Sequence, residues 1–142
     1  MPGPIPLDDE TIGNDGLLYL RVFPDPDCIV RIPGGGFRPN SGELRSDGAL
    51  SVDLSSLSTP QQTRDRDISR PFHVAAIPAH VARAAGCGIV RDPLEGNPAH
   101  ALLYGSHSNN DGSLTKSQAK RIVLNTIVVL VHPDAPLPAE PA

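Results

Sequence analysis

The chain has 142 residues, the length of one ordinary domain, with 12 basic and 16 acidic residues and a formal charge of −4. That balance works against binding to phosphate backbones, and lysine occurs only at Lys116 and Lys120, so no basic run offsets it. Aromatic residues are 4% and tryptophan is absent, which removes the ring platforms on which single-stranded nucleic acid stacks.

Hydrophobic residues make up 39%, so the expected core is modest and built from Leu, Ile, Val and Ala. Cys28 and Cys87 are too few and too far apart for a secreted disulfide scaffold, and they read as free or buried thiols, with a single disulfide between them as the alternative. The start, Met1 to Pro6, has no basic residue and no apolar run of the signal-peptide kind. The most apolar stretch, Ile122 to Val131, is about half the roughly 20 residues that span a bilayer. A cytoplasmic protein without membrane contact is the expectation.

In chain order, residues 1–16 read as a Pro-rich acidic tail, residues 17–132 as a single domain, and residues 133–142 as a second Pro-rich tail. Leu17 to Val22 and Cys28 to Ile32 read as strands joined through Pro24-Asp25-Pro26-Asp27, which suggests a hairpin. A flexible loop, Pro33 to Gly36, follows. Leu50, Val52 and Leu54 alternate with Ser51, Asp53 and Ser55, the pattern of a half-buried strand. Thr59 to Arg70 is polar with almost nothing apolar to anchor it, and reads as a surface loop rather than a short helix.

His73 to Ile77 reads as a strand. Pro78 to Ala85 reads as a helix with Pro78 at its first position and Gly86 just past its end. Cys87 to Arg91 and Ala99 to Tyr104 are further strands, and Ser106 to Ser113 is a polar loop. Thr115 and Gln118 form a T-x-x-Q capping box. The helix it opens is read as continuing to about Val131, with a separate strand from Thr126 to Val131 as the alternative. The sum is an α+β domain: a small, mainly antiparallel sheet with about two helices, in two layers.

Three clusters could carry chemistry. Asp92-Pro93-Leu94-Glu95-Gly96-Asn97-Pro98-Ala99-His100 is a loop fixed by two prolines that delivers His100 into a strand, with Leu102 and Tyr104 on its face. Asp92 and Asn97 are candidate ligand-binding residues there, although both also suit the plain task of capping turns. Arg38 and Ser41 follow a glycine-rich loop and could hold an anion, but no GK[ST] makes this a P-loop. Ser51 and Asp53, with His100, are the candidate catalytic residues. His100 would be general acid or base and Asp53 or Asp92 its orienting group. No G-x-S-x-G elbow supports a serine hydrolase. His73 and His80, like His100 and His107, lack the spacing of a compact zinc site, so no metal and no cofactor is expected.

The runs Phe37-Arg38-Pro39-Asn40-Ser41, Leu50-Ser51-Val52-Asp53, Val90-Arg91-Asp92-Pro93 and Asn97-Pro98-Ala99-His100-Ala101-Leu102 carry a resemblance. Over about residues 17 to 125 the chain resembles a group of small uncharacterised bacterial proteins with FRPxS, LSVD and DPxxxNPAHA blocks in this order. The resemblance implies a bacterial protein and supplies no catalytic assignment.

Two functions compete. One is a non-catalytic binding or accessory module recognising a protein partner or a small anionic ligand. The other is a small enzyme acting on a polar or anionic substrate, with His100 as acid or base and Arg38 as anion clamp. Nucleic acid and membrane are not expected partners. The apolar run from Ile127 to Val131 also makes a homodimer one way of burying that segment.

Overall fold

Alternation of aliphatic side chains decides which face of the sheet is buried. The computed structural model describes residues 8–46, 48–105 and 111–139. Its strands are β1 (Leu17–Val22), β2 (Ile29–Arg31), β3 (Phe37–Pro39), β4 (Leu50–Leu54), β5 (His73–Pro78), β6 (Gly88–Arg91), β7 (His100–Tyr104) and β8 (Ile127–Leu130). The helices are α1 (Pro60–Asp65), α2 (Ala79–Ala84) and α3 (Lys116–Val123). Six strands form one sheet in the order β6-β7-β4-β1-β5-β8, antiparallel at every pairing, and β2 and β3 form a separate ribbon.

Leu18 and Leu20 of β1, Val52 and Leu54 of β4, Ile89 of β6 and Leu103 of β7 lie in one buried apolar cluster. Cross-strand pairing makes that layer continuous: Leu18 sits opposite Leu54 and Ile77, and Leu103 sits opposite Leu50 and Ile89. Ala79 and Ala82 of α2 and Ala119, Ile122 and Val123 of α3 close the layer from above. Alanines let α2 approach closely, so a core with little aromatic volume still fills.

The architecture is the small, mainly antiparallel α+β domain that the sequence implies. Several local expectations are corrected. Thr59 to Arg70 is not all loop: Thr59 caps α1 by accepting from Gln62 N while Gln62 bonds back to the Thr59 amide. This third helix lies on the sheet's other face, where Thr63 meets Asp53 and its carbonyl accepts from Arg21. β1 and β2 do not form a hairpin; β1 pairs with β4 and β5, and β2 pairs with β3. Burial explains the choice, because Leu18, Leu20 and Val22 are covered only in the centre of the large sheet.

The Thr115–Gln118 box opens α3 as its residues imply, but the helix stops at Val123. Thr126 bonds back to the Ile122 carbonyl and the β-branched run after it becomes β8. Pro78 ends β5 and serves as the N-cap of α2, one position before the helix. Gly86 follows α2 with φ +90°, the left-handed conformation that glycine adopts without a Cβ clash.

The regions read as tails are packed where they are described. Ile12 is buried, Asp9 N donates to the Ile89 carbonyl at 2.6 Å, and Asp8 pairs with Arg83 at 3.1 Å. Ala135 is buried, and the Pro138 carbonyl accepts from Arg31 at 2.9 Å. Ser106 to Asn110, the outer prolines of both tails and His107 lie outside the described residues. Among the described residues no helix is long and apolar enough to cross a membrane.

Candidate functional site

The outer face of the sheet, opposite α2 and α3, carries a groove of about 1410 Å³. Period-two alternation puts Ser51 and Asp53 of β4, Tyr19 and Arg21 of β1, and His100 of β7 on this face. Register then places Asp53 directly between Tyr19 and His100. One wall is α1 and the segment after it, with Thr63, Arg66 and Arg70; the other is the Leu94–Pro98 loop.

Asp53 is the centre of the polar construction. It is 3% exposed, and its carboxylate accepts from Thr63 Oγ1 at 2.8 Å, Arg66 Nε at 2.8 Å and Asn97 Nδ2 at 2.9 Å. Burial pushes its pKa up, but the bonds from Asn97, Thr63 and Arg66, with the Arg66 charge, outweigh this and hold the carboxyl below its ordinary range. Arg66 also reaches Ser58 Oγ at 3.4 Å and the Gly96 carbonyl at 3.5 Å. One carboxylate thereby ties both walls of the groove to its floor.

His100 is fixed differently. Its Nδ1 lies 2.9 Å from the Asp92 carbonyl oxygen and 3.1 Å from Asp92 Oδ2. Two acceptors there place the proton on Nδ1 and leave Nε2 as the acceptor nitrogen. The His100 side chain is 13% exposed and lines the groove. Asp92, rather than Asp53, is therefore the carboxylate that holds this ring. Leu102 and Tyr104 share its half-exposed face, while Ala101 and Leu103 point into the core.

The structure thus brings Ser51, Asp53, Asn97 and His100 into one groove, with Asp92 behind the imidazole. It does not bring Arg38 there. Arg38 lies on β3, where, among the described residues, its Nη1 reaches only the adjacent Pro39 carbonyl at 3.3 Å. Ser41 opens a short 3₁₀ turn capped by Asn40, and its neighbour Gly42, not Ser41 itself, reaches the groove lining. The groove's cations are instead Arg21, Arg45, Arg66 and Arg70. Arg66 and Thr63 are legible only once Thr59 and Gln62 are read as a second T-x-x-Q box, the same signal that marks α3.

Among the described residues no group of three or more His, Cys, Asp or Glu is placed to hold a metal. Cys28 and Cys87 are unpaired with each other, and burial pushes both thiols up to about 11. The chain matches no protein-family model, no curated protein and no solved structure.

Proposed function

We propose that this chain is a non-catalytic binding or accessory module of a bacterial multi-component system, working in the cytoplasm and recognising a protein partner through the outer groove. One observation carries the reading: the groove is wide and open, and its buried carboxylate is used up in building it. Asp53 accepts three hydrogen bonds, one of them from the Arg66 guanidinium, and these hold its proton affinity low, which makes it a poor base. Affinity capture from the native host tests the proposal. Wild type and Leu124→Ser, a change at a residue 71% exposed and outside the groove, should retain the same partner. Ser51→Trp, which fills the groove floor, should lose it. Equal recovery by all three would overturn the assignment.

A second reading has its own observation. A carboxylate on Nδ1 of a histidine that lines the groove is the arrangement of an oriented general base. On that reading His100 is acid or base toward a polar or anionic substrate, and the anion contact comes from the groove arginines instead of Arg38. A screen of carboxylic and phosphoric esters decides it. Turnover abolished by His100→Gln, and shifted in pH profile by Asp92→Asn, would favour the enzyme; no turnover would count against it.

A further inference from the structure

The centre of the large sheet is split. β1 has six residues and β4 has five, but their ladder consists of Leu18 opposite Leu54 and Tyr19 opposite Asp53. Beyond that point the two strands face one another without pairing. The groove is lined by the consecutive residues Tyr19, Leu20 and Arg21 on one side and Leu50, Ser51, Val52 and Asp53 on the other. A cleft over one face of an intact sheet would touch mainly alternate residues. Contact with successive ones, where the ladder has ended, brings the main chain of both strands to the groove.

The direction of the main-chain groups follows from the bonds that do form. Ser55 N donates to the Leu17 carbonyl at 3.0 Å, and Phe23 N donates to Glu43 Oε1 at 3.1 Å. The odd-numbered residues of β1 therefore aim their N–H and C=O groups toward β4. Leu54 N donates to the Ala99 carbonyl at 2.9 Å, on the β7 side, so Asp53 and Ser51 aim theirs toward β1. Arg21 and Ser51 thus present backbone donors and acceptors into the gap from opposite sides. The ligand that matches a facing amide and carbonyl pair on each strand is another extended backbone.

Side-chain charge narrows the choice. Of the groove's carboxylates, Glu43, Asp53, Asp65 and Asp67 already accept bonds from Phe23 N, Arg66, Arg64 and Ser69 respectively, Asp67 also feels the charges of Arg21 and Arg70, and Glu95 lies on the opposite wall. Arg21 and Arg70 stack on Phe72 and Phe23, at 5.9 and 5.1 Å from the ring centroids, and make no ion pair with a carboxylate among the described residues. We propose that an extended, acidic segment of a protein partner inserts its backbone between β1 and β4, its carboxylate meeting Arg21 and Arg70. The proposal rests on the binding-module reading and adds the chemistry of the partner.

A library of random heptapeptides displayed on phage and selected on the full chain tests this. Recovered peptides are resynthesised, singly N-methylated at each backbone amide, and titrated against the protein. Exchange rates of the Arg21 and Ser51 amides are measured with and without peptide. The expected result is enrichment of Asp or Glu among β-forming residues. N-methylation at alternate positions should lower affinity at least tenfold, and both amides should exchange more slowly in the complex. Binding that tolerates N-methylation everywhere would overturn strand insertion while leaving the module reading in place, since side chains would then carry recognition. Recovery of no peptide that Ser51→Trp excludes would overturn insertion too, and the module reading would be judged by the host capture alone.

Discussion

Replacing Asp53 by alanine removes the acceptor for three donors at once. Thr63 Oγ1 keeps its contact with Ser58 Oγ at 2.9 Å, but the Arg66 guanidinium loses its counter-charge with its side chain only 21% exposed. Breaking a buried pair by removing one partner costs roughly 3–5 kcal/mol. Arg66 can still turn partly to solvent, which favours the low end, so about 3 kcal/mol is expected, or a fall in Tm of about 10 °C for a domain this size. Asp53→Asn keeps the shape and an acceptor oxygen, and should cost about half as much.

The pH dependence carries the sharper test. The folded-state pKa of Asp53 lies below its ordinary value, so its contribution is fully present above the unfolded value of about 4 and is lost as pH falls through the folded one. Urea denaturation at pH 7, 5, 4 and 3 should show wild type and Asp53→Asn converging as the solution is acidified. If Asp53→Ala costs less than about 1 kcal/mol at pH 7 and the two curves stay parallel into acid, the carboxylate is not the node described here.

Other outcomes can be measured alongside. His73 is wholly buried, accepts from His132 N through Nδ1 at 3.0 Å, and leaves Nε2 without a partner among the described residues; burial, then the charge of His132, lowers its proton affinity. A depressed histidine costs stability as pH falls below about 6.5 toward the folded value, so unfolding free energy should drop between pH 7 and 5 in wild type and less steeply in His73→Leu. Gly105→Ala would place a Cβ 2.6 Å from Leu114 Cα and against the Ser113 carbonyl; backbone cannot yield cheaply, and loss of the folded near-UV circular dichroism is expected. With both thiols pushed up to about 11, Cys28 and Cys87 should react with an alkylating reagent at pH 8 only after denaturation. Prompt native labelling of either would contradict their environment.

The sheet was readable because each strand states its buried face in alternating aliphatics, as Leu50, Val52 and Leu54 do. Partner choice was not, because β1 has several neighbours its length and pattern would satisfy. Pro24 to Asp27 marked a turn correctly in kind, yet a turn does not say that its flanks pair. In the site, Ser51, Asp53 and His100 could be named because they occupy outward positions on strands. Their roles depend on Thr63 and Arg66, carried by and just after a helix with a single buried residue, Thr63. Hydrophobic periodicity has nothing to register there, and only the Thr59–Gln62 cap betrays it. Arg38 looked suited to an anion by its glycine-rich approach, but that approach belongs to the small β2–β3 ribbon, away from the groove.

The docking of residues 8–12 on β6 bears on how one border of the sheet is covered. A terminal strand of an antiparallel sheet offers its free amides and carbonyls to any other strand. Here the chain's own start occupies part of that row, through the Asp9 amide on Ile89, and two ion pairs to Arg83 and Arg91 hold it there. Trimming back to Leu17 would leave every strand and helix intact and still uncover a sticky border. Such a shortened protein is expected to self-associate with rising concentration, so the segment works as a guard against aggregation as much as a piece of the fold.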